Sequence, residues 1–345
     1  MRTLLLLMLC ASVARAYVVP TFSRQWVMRT LFSKFLDGAL STAPGVLGGA
    51  LAKPNGMDAL VVSCGAAGRA VCERLKRDGY HITIVTTKPA RVPSLLHLGN
   101  RVFTIPQIET QRDEVLEQCV RDADLIVIAD AVSIFSAHTY VRTCARVGKL
   151  VERNAWGGTV ALVSSENVYG CPRHGEAIDE SSSIHATSYR RNGWHINSNV
   201  LALQIRAAED YVFHSTPRSF ALRTCGLWEE SKFFEVAKRT SGAPLPSVVQ
   251  RSLMSFTTTN LVAEAVAQGA ARGFSGTYNV ANMGPMTRGV FLGSLHAVYG
   301  LKGPAWVERD LDPDALFSID ADPLLPASQR SNMRLSCDRF RKAMA

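Results

Sequence analysis

The residues best suited to chemistry sit where an apolar run meets a pair of glycines. Ala59-Leu60-Val61-Val62 leads into Ser63-Cys64-Gly65-Ala66-Ala67-Gly68, and a helical pattern follows at once. Strand, glycine turn and helix in that order suit a dinucleotide. Gly65 lets backbone approach a pyrophosphate, Gly68 lets helix and strand pack closely, and the helix N-terminus offers N–H groups to phosphate oxygens. Ser63 stands where the first glycine of the usual G-x-G-x-x-G belongs. In NAD binders an acid about 20 residues beyond the glycines holds the adenosine ribose hydroxyls. Here the chain reads Thr86-Thr87-Lys88, with Arg91 close behind: hydroxyls and cations that suit a 2′-phosphate, and so NADP ahead of NAD.

Other reactive residue types say less. His174, His185 and His195 lack metal-ligand spacing, no C-x-x-C pair occurs, and no metal is expected. Of the eight cysteines Cys10 falls in the leader, and the remaining seven, an odd number, read as reduced thiols rather than a disulfide framework. Cys64, inside the turn, reads as a small packing residue. Arg206, Glu209 and Asp210 read as an ordinary charged helix face. Trp228 and Phe256, with no basic stripe beside them, read as packing rather than base-stacking platforms.

The elements that must position the turn are legible from periodicity. In the helix after Gly65, Ala70, Val71 and Leu75 recur on one face, Glu73, Arg74, Lys76 and Arg77 lie outward, and Asp78-Gly79 ends it before a second strand, Ile82-Thr83-Ile84-Val85. The pattern then predicts a short strand over Arg101–Ile105, a helix over Glu109–Arg121 and an apolar strand Leu125–Ile128 that ends in Ala129-Asp130-Ala131. A helix over about Ser136–Arg153 and a buried strand over Thr159–Val163 come next. This alternation predicts an α/β fold, a doubly wound parallel Rossmann sheet with ligand at the carboxyl ends of the strands. A small substrate lobe is expected from about residue 226. The cofactor contacts expected at those strand ends are Ser63, Gly65, Ala66, Ala67, Gly68, Thr87, Lys88, Ala129, Ala131 and Ser164.

Charge argues against a polyanion partner. The formal balance is +9, but residues 1–56 hold six of the 38 Lys and Arg and one of the 29 Asp and Glu, so the rest carries 32 against 28. A mean hydropathy of +0.06 fits a soluble enzyme. Met1-Arg2, the apolar stretch Leu4 to Leu9 and Ala14-Arg15-Ala16 read as a signal peptide over residues 1–16, and residues 17–56, with Asp37 as their sole acid, read as a transit peptide or linker. Tyr17-Val18-Val19-Pro20 resembles the aromatic-x-x-Pro start of plastid transit peptides in algae with secondary plastids, so a plastid is the expected destination, with the secretory pathway as alternative. No transmembrane anchor is expected in residues 57–345, and oligomeric state is not legible.

The fifth strand runs into Ser164-Ser165-Glu166-Asn167-Val168-Tyr169-Gly170, and Asp179-Glu180 follows. This combination resembles the extended short-chain dehydrogenases/reductases of the NAD-dependent epimerase/dehydratase type, where Ser-Ser-x-x-Val-Tyr-Gly marks the strand beside the nicotinamide. Ala221-Leu222-Arg223-Thr224-Cys225-Gly226-Leu227-Trp228, Asn260-Leu261-Val262-Ala263, Gly276-Thr277-Tyr278-Asn279-Val280, a helix opened by Thr287, and Ser328-Gln329-Arg330-Ser331-Asn332 resemble later segments of the family. The resemblance covers Met57 to Ala345, and its nearest form is the small atypical members whose turn reads Gly-Cys-Gly-x-x-Gly. It implies hydride transfer assisted by a serine and a Tyr-x-x-x-Lys pair, on a small carbonyl or sugar-nucleotide-type metabolite. Ser165 takes the serine position and Tyr189 is the candidate tyrosine, but Gly193 stands where the lysine belongs. Aligning Ala207-Ala208-Glu209 with the family helix instead moves the pair to Leu201 and Ile205. Tyr169 and His195 are the other candidate proton sources. A cofactor-binding plastid factor without turnover, serving assembly, regulation or RNA handling, is the alternative.

Overall fold

The structure is a computed structural model. It describes residues 56–105, 114–130, 136–170, 177–183, 188–191, 194–229, 232–247, 250, 253–282, 286–307 and 334–345. Seven strands form one sheet: β1 (Asp58–Val62), β2 (His81–Thr86), β3 (Arg101–Thr104), β4 (Leu125–Ile128), β5 (Thr159–Ser165), β6 (Ser219–Thr224) and β7 (Gly276–Val280). Their order is β7-β6-β5-β4-β1-β2-β3, and every pairing is parallel. The reversal of direction at β1 and β4 makes it the doubly wound Rossmann arrangement expected from the alternation of elements.

Both faces of a parallel sheet are covered, which is why these strands are apolar throughout. Side chains alternate between the two faces. Ala59 and Val61 point into one core cluster with Val127, Ala161 and Leu222, and Leu60 and Val62 into the other with Ile126, Ile128 and Leu162. The first cluster lies under α1 (Ala66–Arg77) and a later helix, Thr259–Arg272. The second is covered by α2 (Glu114–Asp122), α3 (Ala137–Arg153) and α4 (Ser198–Ser215). The expected helix over Glu109–Arg121 is therefore seen from Glu114, its earlier part lying outside the described residues.

A third cluster stands apart from the sheet. Trp228 and Phe256 pack there with Phe233 and Phe291 at ring separations of 5.3 to 6.2 Å, so both are packing residues as expected. Its helices are α5 (Phe233–Thr240) and α7 (Arg288–Tyr299), and α6 (Thr259–Arg272) and β7 intervene between them in the chain before it leaves the sheet again. Thr287 caps α7 by accepting the Val290 N–H, and Thr258 caps α6 by accepting that of Leu261. The last helix, α8 (Asp338–Met344), covers the free edge of the sheet, where Arg339 lies 4.7 Å over the Tyr278 ring. Among the described residues no helix is long and apolar enough to cross a membrane.

Helices α1 and α6 are joined by Arg74, whose Nε lies 2.7 Å from Glu264 Oε2 and which also pairs with Asp78. Burial opposes the Glu264 carboxylate, but Arg74 outweighs it and holds the group below the usual range. A depressed folded-state pKa contributes stability above the unfolded pKa and loses it as pH falls through the folded one. Glu264→Gln is therefore expected to cost about 1–2 kcal/mol at neutral pH. In denaturant unfolding the difference from the parent should shrink as pH falls below about 4.

Candidate functional site

The carboxyl ends of the strands gather the site. β1 delivers Ser63, held by its N–H to the Val85 carbonyl at 2.9 Å, with φ at +62°. This is the left-handed region that glycine would occupy without strain. A Cβ on Gly68 would stand 3.1 Å from the Ser63 carbonyl oxygen and 3.4 Å from both Ala129 Cβ and Cys64 Sγ, so helix, turn and the end of β4 meet only because Gly68 has no side chain. A Cβ on Gly65 would meet nothing within 4 Å, which leaves that face of the turn open to a pyrophosphate.

Helix α1 begins without help. Gly65 is its N-cap, no side chain caps it, and no acid lies in its first turn, whereas α6 and α7 are capped by threonines. The N–H groups of Ala66 and Ala67 at a helix N-terminus of this kind form an anion site. These residues fit a dinucleotide pyrophosphate. Thr86 is buried and its hydroxyl accepts the Lys88 N–H at 3.2 Å, Thr87 is half-buried and Lys88 is exposed. Ala129 is buried at the end of β4, and Ala131 lies outside the described residues. Cys64 is buried with its Sγ 4.0 Å from that of Cys72. The hydrogen bond from Cys72, against the cost of burial and aided by the charges of Arg69 and Arg91, holds the Cys64 thiol below its ordinary range. All six described cysteines are free and buried.

At the end of β5 two neighbouring serines point opposite ways, as strand geometry requires. Ser164 turns inward and donates to Glu209 Oε1 at 2.7 Å. Ser165 Oγ accepts two hydrogen bonds, from the Asn167 N–H at 3.2 Å and from Asn167 Nδ2 at 2.9 Å. A hydroxyl has two acceptor sites and one proton. Both acceptor sites are filled, and the proton has no acceptor among the described residues, so toward a ligand Ser165 is a donor. It is 9% exposed, at the rim of the strand ends.

Behind the serines lies a buried polar network that corrects two expectations. Glu209 is not part of an exposed charged face: it is fully buried and takes both Nε (2.9 Å) and Nη2 (2.7 Å) of Arg223. Arg206 pairs with Asp210 at 3.7 Å on the outer side of the helix and approaches Glu209 Oε2 only to 3.9 Å. Arg223, itself fully buried, also donates to Tyr169 Oη at 2.8 Å and to the Glu180 carbonyl at 3.3 Å. Burial disfavours the Arg223 charge, but Glu209 more than offsets it and keeps the guanidinium protonated. Tyr169 in turn donates to Asn279 Oδ1 at 2.6 Å, and the Asn279 N–H is held by Glu180 Oε1 at 2.8 Å. Burial pushes the Tyr169 phenol up to about 12, so it is a committed neutral donor and not a proton source for a ligand. The readable signal was Arg223 in the apolar run Ser219–Thr224, because a cation there demands a buried partner.

The place of a Tyr-x-x-x-Lys pair on α4 is apolar. Ile205 is fully buried with Val168, Tyr169, Ile178 and Cys225, and Leu201 packs against the same cluster. Tyr189 lies on a hairpin ahead of α4, in the strand Ser188–Arg191, paired with Ile196 of Trp194–Asn197. It therefore stands off the helix, and its side chain, like that of His195, lies outside the described residues, as do His174, His185 and Ser328 to Asn332. Asn167, which fixes Ser165, and Arg69, beside the turn, are residues that sequence reasoning missed. Among the described residues no group of three or more His, Cys, Asp or Glu is placed to hold a metal ion.

No family model matches the chain, and no curated protein matches it. Solved structures share its fold. UDP-glucose 4-epimerase from Thermotoga maritima, with UDP-glucose, superposes with a TM-score of 0.61 at 15% identity over 83% of this chain and 92% of that one. dTDP-glucose 4,6-dehydratase from Bacillus anthracis, in complex with NAD, gives 0.61 at 16% over 84% and 90%. A dTDP-4-dehydrorhamnose reductase from Clostridium acetobutylicum gives 0.57 at 13% over 83% and 92%. At these identities the likeness is one of fold.

Two outcomes follow for stability. Arg223→Met leaves Glu209 buried without its cation and is expected to cost about 3–5 kcal/mol in denaturant unfolding, while a Glu209→Leu/Arg223→Met double variant should cost less than the two singles together. Ser63→Gly relieves the left-handed backbone and is expected to stabilise by about 0.5–1 kcal/mol, the strain relieved exceeding the added chain entropy.

Proposed function

We propose that this chain is an NADP-binding oxidoreductase or epimerase-like enzyme of the epimerase/dehydratase type, acting on a small carbonyl or sugar-nucleotide-type metabolite. The observation that carries the reading is Ser165: its acceptor sites are filled by Asn167, so it offers only a proton, and it does so on the strand edge that also presents the uncapped start of α1. A donor fixed in this way polarises a substrate oxygen without reorganising. Bound at the turn, the cofactor supplies hydride exchange with the carbon that bears that oxygen. Tyr189 on the hairpin is the proposed proton partner. With Gly193 where the lysine that favours the phenolate belongs, turnover is expected to be slow. The substrate class is supported by the fold relatives, one solved with UDP-glucose and another with NAD. On the two-part leader, we place its work in a plastid.

The apolar Leu201 and Ile205 favour one other reading, a cofactor-binding factor without turnover. The experiment is dinucleotide titration followed by NADPH oxidation against a panel of carbonyls and 4-keto sugar nucleotides. NADPH is expected to bind more tightly than NADH, with Lys88→Glu narrowing the difference. Ser165→Ala should lower turnover roughly a hundredfold with cofactor affinity intact, and Tyr189→Phe should also lower it. Binding with no turnover on any substrate establishes the second reading; full activity in both Ser165→Ala and Tyr189→Phe rules out the mechanism.

A further inference from the structure

Two of the buried cysteines meet. Cys64 stands in the glycine turn and Cys72 in the second turn of α1, and their sulfurs lie 4.0 Å apart. The contact depends on the residue between them. Cys64, Gly68 and Cys72 are spaced by four, which puts Gly68 and Cys72 on one face of the helix. A Cβ on Gly68 would press to 3.4 Å from Cys64 Sγ. Without a side chain there, the two thiols reach one another along the inner face of α1.

The pair is chemically unequal. The hydrogen bond from Cys72 holds the Cys64 thiol below its ordinary range, while the same contact and burial push Cys72 up. Burial pushes Cys144, Cys225 and Cys337 up as well. Cys64 also keeps 3% of its surface accessible, against 0% for Cys72, Cys144 and Cys225. The thiolate is the form that a peroxide oxidises. Of these thiols Cys64 is the one poised to react, and it has a second sulfur already beside it.

We propose that Cys64 and Cys72 are an oxidation site, a dithiol that a peroxide converts to an intramolecular disulfide, and that this oxidation and dinucleotide binding oppose one another. In the first step the Cys64 thiolate takes one peroxide oxygen as the O–O bond breaks, giving a sulfenic acid, and the departing hydroxide takes up the proton Cys64 gave up. The Cys72 sulfur then attacks the Cys64 sulfur. The S–S bond forms, the S–O bond breaks, and the hydroxyl leaves with the Cys72 proton as water. Two thiols lose two electrons and one peroxide becomes two waters. An S–S bond of about 2.05 Å requires the sulfurs to close by about 2 Å. Cys72 lies within a regular helix that Arg74 and Glu264 hold against α6, whereas Cys64 is joined to Ser63, at φ +62°, and to Gly65, whose outer side is open. The turn therefore takes up the movement, and with it move the N–H groups of Ala66 and Ala67 that answer a pyrophosphate. The opposition, though not the oxidation site, rests on the dinucleotide reading above.

The test exposes the full chain, first reduced with dithiothreitol, to hydrogen peroxide, blocks the remaining thiols and digests with trypsin. Cleavage after Arg69 and Arg74 separates the two cysteines, so their disulfide joins residues 70–74 to the peptide that ends at Arg69. That linked pair is expected as the first disulfide to form, and dithiothreitol should reverse it. The oxidised chain should bind NADPH and NADH about tenfold more weakly than the reduced chain, within the usual span for two coupled sites. By the same linkage NADPH stabilises the reduced form, so at saturation it should raise the midpoint potential of the pair by about 30 mV, the equivalent of tenfold for a two-electron couple. If the linked peptides do not form, whether or not other thiols react, the oxidation site is wrong. If they form and both affinities stay within about twofold, the opposition is wrong and the site stands. If neither dinucleotide binds the reduced chain, the dinucleotide reading fails and the opposition with it, while the linked peptides still decide the site.

Discussion

The guanidinium of Arg223 is the point from which the carboxyl edge of this sheet is hung. A cation inside a protein is expensive, and it persists only where hydrogen bonds replace its water. Here a carboxylate takes two of its N–H groups side by side, a phenol and a peptide carbonyl take a third, and the Tyr169 ring lies 5.0 Å away. The partners come from α4, from the turn after β5 and from the Asp179-Glu180 loop, and Arg223 itself sits on β6, with Asn279 of β7 one bond further. Five segments that share no local sequence are thus fixed against one another by one side chain. Ser164 is spent on this network, and the alternation of the strand then leaves Ser165 to face outward.

The sheet was legible because what forms it is local. A run such as Leu125–Ile128, apolar at every position, fits only a strand covered on both faces, and Gly65 and Gly68 at the close of such a run announce the turn. The threonine that opens α7 could be read for the same reason, since a cap is a bond between a side chain and a backbone three residues on. Glu209 shows where this stops. Helical spacing offers it Arg206, which comes no nearer than 3.9 Å, and the partner that takes both its oxygens belongs to a strand on the far side of a connection. Tyr169 was misjudged in the same way: its place in a motif was plain, while the direction of its hydroxyl depended on Arg223 and Asn279. Trp228 and Phe256 were legible as packing residues, but the cluster they form with Phe233 and Phe291 joins stretches parted by α6 and β7, which only the fold could show.

A threonine closes the first turn of α6 and of α7 from within, while α3 and α5, which also pack, have no side-chain cap. At α1 the chain places glycine, two alanines and no acid, and no side chain closes the first turn. Solved structures of similar fold superpose on this chain at 13–16% identity, so the architecture is shared while most side chains differ.

Cys64 gives the turn a time dimension. Its thiol is held below its ordinary range, yet it lies beneath the turn with only 3% of the residue accessible, sealed by Gly68 and the end of β4. A soft electrophile reaches it only in the moments when turn and helix part. The rate of its alkylation is therefore a clock for the breathing of the nucleotide loop, one that needs no introduced label and slows when a bound molecule keeps the loop shut.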